Sequence, residues 1–297
     1  MQLIKINTIF EIVNIIFQLL TEMEPHRLIY KNSLLNYYRF GLGPKAVVCF
    51  HGYGEDGLAF AFLEKFGGSW FTFYSIDLPF HGKTVWSEGL NFSVDDLQLI
   101  VEKIVGQHTD TLQTATCTFC LMGYSLGGRV ALTLYEKIPN RISKLILLAP
   151  DGLKVNFWYW LATQTRAGNK FFKLTMKKPG WFFGVLKILN KLKLVNTRIF
   201  KFVTYYIGDT EIRQLLYTRW TALRKIKPTI SLVKKNILFY KTPVRLIYGK
   251  HDRIILPSVG QKFKKGIEEY CTLTIIDSGH QVVHEKHVKD LLSLLLH

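Results

Sequence analysis

Three residues of this chain have the types and the order needed for nucleophilic attack on an acyl group. Ser125 lies in Gly123-Tyr124-Ser125-Leu126-Gly127, a fit to Gly-x-Ser-x-Gly. Asp252 ends Gly249-Lys250-His251-Asp252, and His280 ends Asp277-Ser278-Gly279-His280. A serine hydroxyl is a weak nucleophile until a base takes its proton. A histidine with an ordinary pKa near ~6.5 can take that proton and return it near neutral pH. An aspartate on the far side of the imidazole fixes its tautomer and stabilises the imidazolium. The order serine, aspartate, histidine is one of the known chain orders for this chemistry.

These residues need particular elements to position them. An apolar run, Cys117 to Met122, precedes the serine, and a helix-like run, Arg129 to Lys137, follows it. A serine on a sharp strand-to-helix turn is presented above the sheet edge. Glycines at 123 and 127 leave room for neighbouring backbone, and the amide of Leu126 points at the forming oxyanion. An ordinary turn with a chance match is the alternative. Other strand ends weigh against it. Lys45 to Phe50 runs into His51-Gly52-Tyr53-Gly54, where the backbone N–H of Tyr53 is the candidate second oxyanion donor. His51 shapes that loop. His81, in the turn Asp77 to Gly82 after the strand Phe73 to Ile76, is structural too.

The acid and the base each follow a strand: Val244 to Tyr248 before Asp252, Leu273 to Ile276 before His280. Asp252 also suits a turn cap. Asp151 is a rival acid, since it follows the strand Lys144 to Leu148. Asp252 is preferred because its position fits the serine, aspartate, histidine order with a strand on either side. His284 and His287 fall in a helix from about Val283, as surface or helix-face residues. A metal site joining them to His280 lacks a carboxylate at helical spacing except Glu285, which points elsewhere. No metal or organic cofactor is implied.

The succession HGYG, DLPFHG, GYSLGGR, GKHD and SGH resembles the α/β-hydrolase superfamily, over residues 27–150 and 240–297. The resemblance implies an α/β fold with a mostly parallel sheet flanked by helices and an inserted helical cap. It implies a serine hydrolase of an ester-like or acyl substrate with an apolar part. Ser125 would attack, His280 would act as base, Asp252 would orient it, and the N–H groups of Tyr53 and Leu126 would hold the oxyanion. The serine argues against epoxide hydrolases and haloalkane dehalogenases, which place aspartate there. GYSLGGRVA with DLPFHG also resembles the menaquinone-pathway lyase that eliminates pyruvate, although Phe80 stands where that family usually has glycine. In that alternative Ser125 and His280 serve proton abstraction. Arg129 would aid carboxylate binding, a helix-surface salt bridge being its plainer role. A membrane- or partner-binding protein on the same scaffold is a third reading.

The 297 residues, 48% hydrophobic with mean hydropathy +0.12, suffice for one large α/β domain with an insertion. The boundaries expected are a core at 23–150 and 236–297 and a cap at 151–235. Cys49, Cys117, Cys120 and Cys271 fall in or beside expected core strands. Cys117-x-x-Cys120 has no second pair, so buried thiols in a reducing cytoplasm are expected. Residues 1–22 hold an apolar, helix-like run from Ile9 to Leu20, interrupted by Glu11, Asn14 and Gln18. It is too short and too polar to span a bilayer and lacks a signal-peptide cleavage pattern. It is an amphipathic extension, or Met23 is an alternative start.

The formal net charge is +17. Residues 151–235 hold 18 Lys+Arg against 3 Asp+Glu, and the remainder 21 against 19. Nearly all the excess therefore belongs to the insertion. That segment is also aromatic, with Phe157-Trp158-Tyr159-Trp160, Phe171-Phe172, Trp181-Phe182-Phe183, Tyr205-Tyr206 and Trp220. Trp181 to Val195 reads as an amphipathic basic helix. Such a helix suits an anionic membrane surface, and equally a cap whose apolar face covers a pocket while its lysines face water. Attraction of anionic lipid or anionic substrate is the expectation for the group as a whole. No nucleic-acid motif accompanies the charge, and no nucleic-acid partner is expected. The location expected is cytoplasmic, or peripheral at a membrane.

Overall fold

Runs rich in β-branched and aromatic residues form eight strands in a computed structural model, which describes residues 24–107, 118–191 and 207–296. The apolar extension 1–22, Cys117 and the tail of the expected helix beyond Lys191 lie outside the described residues. The strands are β1 (His26–Tyr30), β2 (Ser33–Phe40), β3 (Lys45–Phe50), β4 (Phe71–Ile76), β5 (Phe119–Tyr124), β6 (Ile142–Leu148), β7 (Val244–Gly249) and β8 (Cys271–Ile276). They make one sheet in the order β1-β2-β4-β3-β5-β6-β7-β8. From β4 across to β8 every pairing is parallel, with Val47 opposite both Phe73 and Cys120, and Leu246 opposite Leu273. Every residue of β4 and β5 is buried, as a sheet covered on both faces requires.

The mostly parallel sheet expected from sequence is present, with an antiparallel hairpin added at one edge. There β1 pairs with β2, and β2 runs antiparallel to β4. Strands also begin earlier than the apolar runs suggest, at Phe71, Ile142 and Cys271.

The helices around the sheet are α1 (Leu63–Gly67), α2 (Val94–Gly106), α3 (Leu126–Lys137), α4 (Phe157–Gln164), α5 (Arg166–Lys177), α6 (Gly180–Lys191), α7 (Thr210–Ala222), α8 (Ile230–Tyr240), α9 (Pro257–Lys264) and α10 (Val288–Leu296). Helix α3 packs on β3, β5 and β6 and against α2 and α8, while α9 covers β7 and β8. Helices α4, α5 and α7 pack on one another within the insertion between β6 and β7. Core and insertion join through the Arg224 guanidinium, which donates to Leu90 O at 2.8 Å, and through the Phe92 N–H to Ala222 O at 3.1 Å.

The hairpin is tied down by Asp96 of α2. Its carboxylate accepts from Tyr30 Oη at 2.7 Å and from the Lys31 ammonium at 2.5 Å. Ser93 and Asp96 close a reciprocal capping box at the start of that helix. Burial alone would raise the Asp96 pKa, but hydrogen bonds from Lys31, Ser93 and Tyr30 outweigh it and hold the carboxyl down at about 2. Cys49, Cys120 and Cys271 are buried free thiols. No described helix is long and apolar enough to cross a membrane.

The last helix differs from expectation. After β8 the chain is irregular through Val282 and Val283, both buried, and a short 3-10 turn at Glu285–His287 precedes α10. His284 caps that turn, its Nδ1 accepting from the Lys286 N–H at 3.1 Å, and His287 is buried. His284 is thus a surface residue, as expected, but outside any helix, whereas His287 is buried.

Candidate active site

Strand β5 ends at Tyr124, and α3 begins at Leu126. Ser125 between them has φ 48° and ψ −113°, a strained backbone for a residue with a Cβ. The turn is held by its backbone. The Ser125 N–H donates to Leu148 O at 2.9 Å, and the Ser125 carbonyl accepts from the N–H groups of Gly128 and Asp151 at 2.9 and 2.8 Å. The spacing of glycines has a steric cause. A Cβ on Gly123 would lie 2.3 Å from Gly127 O, and one on Gly127 would lie 1.9 Å from Phe50 O. The Ser125 hydroxyl does not cap the helix that follows it.

That hydroxyl lies 3.0 Å from His280 Nε2. The His280 ring is reached from the other side by Asp252, with Nδ1 to Oδ2 at 2.7 Å. The Asp252 side chain has no exposed surface. Its other oxygen accepts from the N–H groups of Ile254 and Ile255 at 2.8 and 3.0 Å. One carboxylate therefore caps its own turn and holds the imidazole. The three residues follow the ends of β5, β7 and β8, which lie on one side of the sheet's centre with β6 between β5 and β7.

The rival acid is elsewhere engaged. Asp151 Oδ2 lies 3.6 Å from Arg129 Nε, and the Arg129 guanidinium lies over the Tyr159 ring at 4.5 Å. Arg129 is buried, so it is not the helix-surface pair the sequence suggested. Helix α3 is buried from Leu126 to Tyr135, which leaves no exposed face for the arginine.

Tyr53 follows the end of β3, and Leu126 is the first residue of α3, whose N-terminal amides carry partial positive charge. In the same loop the Gly52 N–H is taken by Glu55 Oε2 at 3.0 Å. His51 donates from Nδ1 to Gly52 O at 2.7 Å and accepts at Nε2 from the Leu78 N–H at 3.1 Å. His81 Nδ1 lies 2.9 Å from Pro79 O. Burial pushes both imidazoles below their ordinary pKa, His81 far below, with His51 and Arg219 adding to the shift at His81. Both histidines therefore stay neutral and serve the loops. Phe80 has φ 63°, in the left-handed region where glycine is at ease.

A second set of contacts surrounds these loops. Tyr124 Oη donates to Gln281 Oε1 at 2.8 Å, and Gln281 Nε2 donates to Glu55 Oε1 at 3.3 Å. The serine, histidine and His51-Gly52 turns are thus laced together by three side chains. Burial raises the Glu55 pKa, opposed by its bonds to Gly52 and Gln281. Burial also raises that of Tyr124, which keeps its proton. From the insertion, Arg219 donates through Nε to Phe80 O at 2.8 Å, and its guanidinium lies 5.3 Å from the Tyr53 ring centre. The only sequence signal was the position of Tyr124 beside the serine. Among the described residues no cluster of His, Cys, Asp and Glu is arranged to hold a metal ion.

A family profile described as serine aminopeptidase, S33 matches residues 44–287. The chain is 22% identical over 260 residues to the uncharacterized hydrolase YugF of Bacillus subtilis (strain 168), which covers 84% of this chain and 90% of that one. It is 24% identical over 247 residues to monoacylglycerol lipase ABHD6 of Homo sapiens, covering 81% and 71%. Among solved structures, a thermophilic esterase from Thermogutta terrifontis superposes with TM-score 0.64 at 14% identity, covering 92% of this chain and 98% of that one. The thioesterase domain from the curacin biosynthetic pathway does so with TM-score 0.59 at 17% identity, covering 93% and 100%. The chain belongs to the serine aminopeptidase S33 family and is a hydrolase of the α/β-hydrolase fold.

Proposed function

We propose that the chain cleaves carboxylic esters with an apolar part through Ser125, His280 and Asp252. Ser125 Oγ attacks the ester carbonyl carbon while His280 Nε2 takes the hydroxyl proton. Asp252 keeps Nδ1 protonated and faces the imidazolium that forms. The carbonyl oxygen, now an anion, is held by the N–H groups of Leu126 and Tyr53. Losing one such donor costs on the order of 3 kcal/mol in comparable enzymes. The bond to the leaving alcohol breaks, and His280 returns its proton to that oxygen. A water then attacks the acyl-serine with His280 as base, releasing the acid and restoring Ser125.

The observation that carries this reading is the continuous hydrogen-bonded line from Ser125 through His280 to Asp252, at 3.0 and 2.7 Å. An ester substrate is favoured over a peptide with a free amino terminus by charge. Between Gly152 and Gly208 the insertion has eleven Lys+Arg and no Asp or Glu, so the net charge of that stretch repels an ammonium group. Relatives described as monoacylglycerol lipase and as pimeloyl-[acyl-carrier protein] methyl ester esterase point to a substrate with an aliphatic chain. The buried free cysteines suit a reducing compartment such as the cytoplasm.

The test is turnover of a nitrophenyl ester series from short to long acyl chains, with fluorophosphonate labelling alongside. Wild type should be labelled, and Ser125→Ala should lose both labelling and turnover. Full esterase activity in Ser125→Ala would refute the assignment.

A further inference from the structure

Helices α5 and α6 turn to water what a helix on a globular protein normally turns inward. In α5, Arg166, Lys170, Lys173 and Lys177 recur at spacings of four, three and four, within an arc of about 60° on the helix. All four are exposed. The other side of the helix is committed to the insertion's interior. Asn169 Nδ2 donates to Ala162 O at 3.0 Å, and Phe172 meets Trp220 at 5.6 Å between ring centres. In α6, Trp181, Val185 and Ile188 recur at i, i+4 and i+7 and are exposed, Ile188 by 61%, whereas Leu186 is buried. Phe171 of α5 contacts Trp181 of α6 at 4.9 Å. The exposed Phe171 and Leu174 therefore extend the apolar stripe toward the basic row. No ion pair among the described residues involves a cation of either helix.

We propose that this face docks on an anionic lipid bilayer. An apolar stripe flanked by a row of cations is the pattern of a helix lying in the membrane interface. The apolar residues enter the boundary between headgroups and acyl chains, and the lysines lie against lipid phosphates. Charge selects the occupant. Eight cations without one acid over the described residues 152–191 complement a surface of uniform negative charge. A protein–protein interface is depleted of lysine, in which this face is rich. A nucleic acid would stack its bases on planar rings, whereas this stripe mixes Trp181 and Phe171 with the aliphatic Leu174, Val185 and Ile188. The proposal stands apart from the ester-cleaving reading, because docking does not need Ser125.

Co-sedimentation of the full chain with phosphatidylcholine vesicles, and with equimolar phosphatidylcholine and phosphatidylglycerol vesicles, tests it. Binding should be at least tenfold stronger to the anionic vesicles and fall severalfold when salt is raised. The combined change Lys170→Gln, Lys173→Gln and Lys177→Gln should lower it tenfold or more, and the same three positions changed to Arg should retain it. Val185→Ser with Ile188→Ser should weaken binding and remove the vesicle-induced blue shift of tryptophan fluorescence. Each variant should keep wild-type thermal unfolding and turnover of a water-soluble ester, which reads the catalytic proposal separately. Equal binding to both vesicle types, or binding undiminished in the glutamine and serine variants, would overturn the proposal. Binding of a single-stranded RNA without vesicle binding would overturn it too, as would a dimer that those variants dissociate without vesicle binding.

Discussion

The turn that carries Ser125 and the helices α5 and α6 are packed in opposite ways. Around the serine no room is left. A Cβ on Gly128 would fall 2.4 Å from the Pro150 side chain, and Gly123 and Gly127 are closed in by backbone. In α6, a Cβ added at Gly180 or Gly184 meets nothing within 4 Å. The ion pairs divide the same way. The core holds Lys31–Asp96, Arg129–Asp151 and His280–Asp252, while the cations of α5 and α6 have no ionic partner among the described residues. Where geometry does the chemistry, steric closure and paired charges fix it in advance. Where the surface is open and singly charged, any partner would come from outside.

The largest effects should come from the closed side. Asp252→Asn removes the acceptor that fixes the His280 tautomer, and kcat for a soluble ester should fall about ten-thousandfold with KM little changed. Asp151→Asn should leave kcat within a few-fold. It should cost about 1 kcal/mol in urea unfolding, because Arg129 is buried with a partly exposed partner. A collapse of kcat in Asp151→Asn with activity retained in Asp252→Asn would reverse the two acids.

Gly127→Ala and Gly184→Ala apply the same added methyl to the two regions. At Gly127 it drives into Phe50 O, and a loss of about 3 kcal/mol or more is expected. At Gly184, in the middle of α6 and open, the better helix propensity of alanine should stabilise by up to about 1 kcal/mol. Urea denaturation of both variants gives the contrast directly. Equal effects would mean that the two regions are packed alike.

Acid sensitivity should also belong to the core. The Asp96 pKa is held at about 2 against an ordinary 3.8, so the native state favours its charged form. The resulting stabilisation, about 1 kcal/mol once solvent screening at the half-exposed Lys31 is allowed for, is present above pH 3.8 and is lost as pH falls toward 2. Asp96→Asn should lower stability at neutral pH and flatten the decline over that window. A decline as steep as wild type in that variant would assign the acid sensitivity to another group.

What could be read from sequence follows the same division. The serine turn is legible because steric closure permits few residues at 123 and 127, and because Asp252 and His280 each follow a recognisable strand. The bonds joining Glu55, Gln281 and Tyr124 are not legible, since Glu55 and Gln281 meet across 226 residues of chain through the fold alone. Arg129 suggests a helix surface until α3 proves buried along its length. Val283 reads as the start of a helix, but Val282 and Val283 are buried in an irregular segment just after His280. β2 lacks the alternation that would have exposed the hairpin, because most of its residues are buried on both faces.

The smallest effect is the sharpest test of the open region. Trp158 is 72% exposed, and Phe157 is its aromatic neighbour, at 5.4 Å. A tryptophan that contributes to a packed core costs several kcal/mol to remove, about 3–5 for truncation to alanine. One that stands in water costs almost nothing, and Trp158→Ser should shift unfolding by no more than about 0.5 kcal/mol. Thermal and urea unfolding measure this without any ligand. A loss above about 2 kcal/mol would make Trp158 part of a packed interior, and the contrast between a closed catalytic turn and an open basic face would lose its aromatic half.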